Sequence, residues 1–398
     1  MNFSLEQRTV FLVMAGSHAY GFATPESDYD YRGIAIPPVD SYIGLKDKFE
    51  QCVDTDKNKH VFLNFQPGLL QDDPRVTPGA EGPDMQVMEL SKFVRLALQN
   101  NPSIIEILFT DEKHWVKVHP IMEELLQNRD KLLSKACKAR FCGYALSQLK
   151  RIKRHKRWLD NPPDHKPTRE EFGLPERSLL SQDQIGAAQA LIQKEIDEFM
   201  IDQTHLPEDT KIELEAGLGR MMRAVWHSMH PDKQYPVGED QPFDSTQDAL
   251  FWGAAMDQGF TDNFIEVLNR EKRYRAAKKE WDSYQHWLAN RNVKRAAIEK
   301  KFGFDLKHAT HLVRLLKMAR EILEEKQVRV FRPDAEELLA IRNGAWTYEQ
   351  IVEFAEREDE ALNEVMKQSD LPKVPPVNFF HELIFRMIGD FNSDLGSY

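Results

Sequence analysis

The chain has 398 residues, 41% of them hydrophobic and 29% charged, which is the composition of a globular protein with about two or three domains' worth of core. A formal net charge of −11 excludes a protein that coats nucleic acid indiscriminately, so contact with RNA or DNA would have to come from a local basic patch. Cys52, Cys137 and Cys142 form no CxxC and no metal-binding spacing, and the first residues carry neither a basic leader nor a membrane-length apolar run. A reducing, cytoplasmic setting without membrane attachment is therefore expected.

From the start of the chain, the apolar run Thr9 to Met14 reads as a buried strand that delivers the backbone into Gly16-Ser17. A short helix over His18 to Phe22 and a polar turn at Thr24 to Ser27 lead to Asp28-Tyr29-Asp30, which opens a second strand running to Pro37. Alternate side chains of a strand share a face, so Asp28 and Asp30 are expected to point the same way. The N–H groups at a helix start suit phosphates, and paired carboxylates suit Mg²⁺, which shares its coordination with substrate phosphate. A polyphosphate carrying a divalent cation is thus the ligand this stretch fits.

Further along, Val61 to Phe65 reads as a strand and Gln66 to Pro83 as an irregular excursion rich in Gly, Pro and Asp. Asp84 to Leu90 is a further strand, followed by helices over Lys92 to Gln99, with Ser91 as cap, and over Ile104 to Phe109, with Ser103 as cap. In-line nucleotidyl transfer uses two metal ions and commonly a third carboxylate. Asp84 and Glu89 are the candidates. They have opposite parity on one strand, and Asp84 is preferred because Glu89 lies where it would serve the next helix start.

From about Pro120 the periodicity becomes helical. Helices are expected over Ile121 to Asn128, Ala136 to Leu159, Gln182 to Met200, Leu214 to His230, Phe260 to Gln285 and Asn290 to Lys301. Asp305 to Glu325, Ala335 to Arg342, Thr347 to Met366 and Phe379 to Asn392 follow, with a short strand at Val328 to Phe331. The richest basic run, Lys150, Arg151, Lys153, Arg154, Lys156 and Arg157 with Trp158 alongside, could grip a phosphate backbone and stack on a base. On the helix from Asp305, Lys307, His311 and Arg314 fall within about 60° of one another, a strip that could clamp a triphosphate. His308 and His311 have a spacing that can bind metal, but the local sequence adds no acidic partner beyond Asp305. P-loop, HExxH, GxSxG and Rossmann patterns do not occur.

The blocks GSHAYGFATPESDYDYRG, ELSKFVRLALQNNPSIIEILF, KRHKRWLDNPPDHKPTREEFGLP, FGFDLKHATHLVRLLKMAREIL and RPDAEELLAIRNGAWTYE resemble, in order, the RlaP-type nucleotidyltransferases of the DNA polymerase β superfamily. The resemblance implies an α+β fold, with a polymerase-β-type α/β domain on a mixed sheet at residues 1–130 and a large, mostly helical domain at 131–398. It also implies Mg²⁺ or Mn²⁺, an NTP substrate and an RNA-ligase-associated role in RNA repair or tailing. By motif position it assigns Gly16 and Ser17 to phosphate and Asp28 and Asp30 to metal.

The expected activity is transfer of an NMP from an NTP to an acceptor hydroxyl with release of pyrophosphate, at an RNA end. Asp28, Asp30 and Asp84 (alternatively Glu89) would hold the metals, and Gly16, Ser17, Lys307, His311 and Arg314 the nucleotide. Alternatives are the same chemistry on a protein or small molecule, and a non-catalytic nucleotide sensor.

Overall fold

A computed structural model describes residues 3–25, 27–43, 48–53, 84–178, 181–198, 254–255, 258–291 and 293–394. The expected strand at 61–65, the excursion at 66–83 and the helix at 214–230 lie outside the described residues.

In chain order the elements begin with α1 (Leu5–Arg8), β1 (Thr9–Ala15), α2 (Gly16–Tyr20), β2 (Asp30–Ala35), α3 (Asp40–Ile43), β3 (Gln51–Val53) and β4 (Asp84–Glu89). Next come α4 (Leu90–Leu98), α5 (Pro102–Phe109), β5 (Trp115–Val118), α6 (Glu123–Gln127) and α7 (Ala136–Asp160). The remainder is helical among the described residues: α8 (Gln182–Glu198), α9 (Asp262–Ala289), α10 (Val293–Phe302), α11 (Leu306–Glu325), α12 (Ala335–Arg342), α13 (Tyr348–Gln368) and α14 (Val377–Asp394). The fold is α+β, a mixed sheet followed by a large helical region.

The sheet has the order β3-β4-β2-β1-β5, with β2 and β4 parallel and the other neighbours antiparallel. Alternation sorts the strand side chains onto two faces. Leu12, Tyr31, Met85 and Val87 fill a small cluster on one face, while Phe11, Val13 and Ile34 face the main core on the other. Register places Asp30 opposite both Ala15 of β1 and Asp84 of β4. Three chain segments thus bring their polar ends to one edge of the sheet, and Asp30 and Asp84 share the parity of Ile34, toward the helices.

Compactness divides the chain into residues 1–161 with 292–398 as one unit and residues 162–291 as another. The expected boundary at 130/131 falls inside the first unit. The physical reason is the apolar stripe of α7: Phe141, Ala145, Leu149 and Ile152 are buried and share one core with Phe11 and Phe93 from the α/β portion and with Leu312 and Phe380 from the late helices. In the second unit, the Arg169 guanidinium donates to the buried Glu271 carboxylate of α9, with Nη1 3.1 Å from Oε2, and Phe172 packs edge-on against Tyr274.

Several local expectations change. Glu89, rather than Ser91, caps α4, accepting from the backbone N–H of Ser91 (2.5 Å) and of Lys92 (2.7 Å). Pro102 occupies the first turn of α5 in place of a Ser103 cap, the position where a missing N–H costs least. Residues 328–331 form no strand, and Arg332 N–H instead bonds to Tyr20 C=O (3.0 Å) at the end of α2. Among the described residues no helix is long and apolar enough to cross a membrane. The three cysteines are buried and carry no disulfide.

Candidate functional site

A cleft of about 760 Å³ opens within the first unit at the polar edge of the sheet. β1 ends at Ala15 and the backbone turns into α2 through Gly16, whose φ is +66°. Glycine is required here twice over. The left-handed conformation disfavours a side chain, and a Cβ would overlap Asp30 Oδ2 and lie 3.1 Å from Asp30 Cγ. The Asp30 carboxylate is therefore seated directly on the turn. The N-cap of α2 is Ala15, whose methyl group cannot accept a hydrogen bond, so the first-turn N–H groups are served by no side chain of the cap residue.

Gly16→Ala is expected to cost about 1–2 kcal/mol in stability from the left-handed backbone and to dislodge the Asp30 carboxylate. In an Asp30→Ala background the same change should cost only the backbone part, which a double-mutant cycle by thermal unfolding would measure.

The cleft brings together Gly16, Ser17, Asp28, Asp30 and Asp84, all singled out from the sequence. Asp28 lies before β2 rather than in it and is exposed, so the two acids reach the cleft without sharing a strand face. Asp84, preferred over Glu89, is at the cleft, whereas Glu89 is committed to its helix cap. Arg32, which the sequence reading passed over, joins the acids. Its Nη1 donates to Asp84 Oδ1 (3.2 Å) and its Nη2 lies 3.6 Å from Asp30 Oδ1. The parity that paired Asp28 with Asp30 also places Arg32 beside Asp30, so alternation could have found it.

Burial raises the Asp30 pKa, Arg32 opposes that shift, and the charge and hydrogen bond of Asp84 push it further up, with Lys307 pulling down. Two neighbouring carboxylates in partial desolvation form a hard-oxygen pair suited to a divalent cation. The residues present thus fit Mg²⁺, with Asp28 at the cleft's exposed side. As a trio, Asp28, Asp30 and Asp84 do not bring their oxygens within 4.8 Å of one another.

The wall opposite the sheet is α11. Lys307 is exposed and His311 half-buried, and both line the cleft. Arg314 lines it too but is 0% exposed, which corrects the expectation of one strip of three groups open to a triphosphate. The strip turns inward: Arg314 Nη1 donates to Glu106 Oε1 of α5 (2.6 Å), the guanidinium lies 3.8 Å from the Tyr20 ring centroid, and Tyr20 OH donates to Glu106 Oε2 (2.6 Å). Arg314 is thereby a clamp between α11, α5 and α2. The lone acid in the apolar stretch Ile104 to Leu108 was the available signal that a buried partner was needed.

Arg314 Nη2 also contacts His311 Nδ1 at 2.9 Å. Burial, then Arg314, His308, Lys307 and Arg151, hold the His311 pKa down to about 3. Because guanidinium can only donate, Nδ1 is the acceptor and the ring proton sits on Nε2. His311 is a neutral imidazole with a fixed tautomer.

Of the basic run on α7 only Arg151 reaches the cleft. Lys153 pairs with Glu356 (3.0 Å) and Lys156 with Asp160 (3.0 Å), while Lys150, Arg154 and Arg157 are exposed. Trp158 is 4% exposed and packs under Arg154 and His155, so it cannot stack on a base as expected. His18 stacks on Tyr29 at 4.2 Å and is not part of the cleft lining.

Residues 3–160 match the family model of RlaP, the RNA repair pathway DNA polymerase beta family. That part of the chain is similar to RlaP-type proteins. The match ends on the last residue of α7, and it contains every sheet residue and all the acids of the cleft. A relative from Enterobacteria phage T4, described as an uncharacterized 38.9 kDa protein in the nrdC-mobD intergenic region, is 26% identical over 145 residues, 35% of this chain and 38% of its own length. The chain therefore aligns with less than half of that relative. No solved structure matches. RlaP is a polymerase-β-type family, a class of nucleotidyltransferase character that typically works with divalent metal.

Proposed function

We propose that the cleft transfers an NMP from an NTP to an acceptor hydroxyl, releasing pyrophosphate, and that the acceptor is an RNA end. The reading is carried by one observation: the Gly16-Ser17 turn, Asp28, Asp30 and Asp84 all open on the same cleft as the cations Lys307 and Arg151. The acceptor oxygen forms a bond to the α-phosphorus, the bond from that phosphorus to the bridging oxygen breaks, and pyrophosphate leaves. The hydroxyl proton passes to Asp84, the more exposed of the two strand-end carboxylates, or to solvent.

Asp28, Asp30 and Asp84 would hold Mg²⁺ or Mn²⁺, which supplies Lewis-acid stabilisation of the charge developing on phosphate oxygens. The α2 turn receives phosphate through its N–H groups. Lys307 adds a point charge, and the Nε2–H of neutral His311 a directed donor. Arg32 neutralises the acids of the cleft in the absence of other cations. Exposed Lys150, Arg154 and Arg157 on α7, continuing from Arg151, would carry the RNA backbone. The setting is cytoplasmic, and an RNA ligase is a fitting functional neighbour.

The test offers each ribonucleoside triphosphate, labelled on the α-phosphate, with Mg²⁺ or Mn²⁺ and with RNA, protein or metabolite acceptors. Label is expected on RNA with stoichiometric pyrophosphate, and neither product from Asp28→Asn. Label on protein or metabolite alone would reassign the acceptor, and no pyrophosphate under any condition would favour a nucleotide sensor.

A further inference from the structure

Behind the α11 wall, three side chains from separate elements converge: His155 of α7, Glu299 of α10 and Asp305, the N-cap of α11. Their ligating atoms all lie within 4.8 Å of one another, and among the described residues no other such group of three is formed. Glu299 is 3% exposed and Asp305 4%. None of the three lines the nucleotide cleft, and all belong to the first compact unit. We propose that His155, Glu299 and Asp305 bind a divalent transition-metal ion of zinc type, at a site separate from the carboxylates of the cleft.

The chemistry of the donors decides the class of ion. Two buried carboxylates held together repel each other and have lost their hydration, and a cation between them offsets both costs. An imidazole in the set favours a borderline ion over Mg²⁺, which prefers oxygen and water. Trp158 stacks on the His155 ring at 5.5 Å and fixes its plane. Asp305 is oriented from both sides: Oδ1 accepts from the His308 backbone N–H (3.0 Å) and Oδ2 lies 3.5 Å from His308 Nε2. A histidine that holds a ligating carboxylate is the kind of outer partner that aims a metal ligand. His308 itself lines the nucleotide cleft, so the ion would tie α7 and α10 to the start of the helix that carries Lys307 and His311. The sequence showed the His308–His311 pair with a single acid nearby, and the fold supplies the missing partners from about 150 residues upstream and from α10, seven residues before α11 begins.

The test uses the full-length protein, stripped with chelator, reloaded with ZnSO₄ and dialysed, with bound zinc measured by mass spectrometry and melting followed in parallel. About one retained ion per chain is expected, with a higher melting temperature than the stripped protein. The Asp30→Asn/Asp84→Asn variant should retain the same ion. Glu299→Gln and His155→Gln should lose it and lose the melting response to zinc, while His308→Gln should weaken zinc about 10- to 100-fold. Wild-type protein that retains no zinc overturns the proposal, as does retention undiminished in Glu299→Gln and His155→Gln, or loss in the Asp30/Asp84 variant. Because the readouts are metal content and melting, they stand whether or not the cleft transfers nucleotides.

Discussion

Asp30→Asn should reduce pyrophosphate release by roughly a thousandfold or more, the several kcal/mol that a metal-held charge contributes to phosphoryl chemistry, while raising the melting temperature at neutral pH. The two effects have one origin. Asp30 sits against the Gly16 turn with Asp84 across the strand, and burial followed by that neighbour holds its pKa above the ordinary 3.8. The folded chain therefore binds this proton more tightly than the unfolded chain does. Stability linked to Asp30 is full below the unfolded pKa and falls as pH rises through the folded value, so at pH 7 the ionised carboxylate weighs against the fold. Asparagine removes that penalty.

The melting difference between Asp30→Asn and wild type should be largest at pH 7–8 and shrink as pH is lowered toward 4. Mg²⁺ should raise the wild-type melting temperature more than that of the variant. A variant that melts lower than wild type in metal-free buffer at neutral pH would make Asp30 a structural carboxylate and remove the ground for a metal site. Differential scanning calorimetry across the pH series, beside the pyrophosphate assay, gives both readings.

How much of this was legible in the sequence follows from the range of the interactions involved. The Gly16-Ser17 turn and the acids at 28 and 30 are local signals, and they converge on one cleft, although Asp28 arrives from the turn before β2 and not by strand alternation. The helix spans from α7 to α14 were readable to within a few residues at the ends, with clear apolar stripes in α11, α13 and α14 and little amphipathic pattern in α9 and α10. β3 and β5 are three and four residues long and exist because β4 and β1 offer them ladders, so nothing local marks them. The first compact unit depends on α7 packing with α11, which lies about 150 residues later and leaves no local mark. Arg314 and Trp158 were misplaced for a related reason: a helical wheel gives the angle of a side chain but not what stands opposite. Here Glu106 stands opposite Arg314, and burial claims the indole.

The second large effect is expected from Glu106→Gln, which should lower stability by about 3–5 kcal/mol, the usual cost of leaving one partner of a buried ion pair alone. Arg314 is 0% exposed and finds in Glu106 its carboxylate, in the Tyr20 ring a π face and in His311 an acceptor. Glutamine keeps the shape but removes the charge that holds the guanidinium ionised in the interior. For a unit of this size the melting temperature should fall by roughly 10 °C. The combination Glu106→Leu, Arg314→Met and Tyr20→Phe exchanges the whole polar cluster for apolar volume and should recover most of that loss, since buried pairs are often no better than well-packed apolar replacements.

Nucleotide binding separates a clamp from a phosphate ligand. If Arg314 is the clamp that its burial and partners indicate, Arg314→Met should destabilise strongly, and NTP affinity, measured well below the melting transition, should change through His311, whose Nδ1 loses its donor and whose tautomer is released. His311→Gln should then reproduce the affinity loss without the loss of stability. Were Arg314→Met instead to leave melting unchanged and abolish NTP binding while His311→Gln did nothing, the guanidinium would be contacting phosphate directly, and the α5–α11 clamp would have to be abandoned.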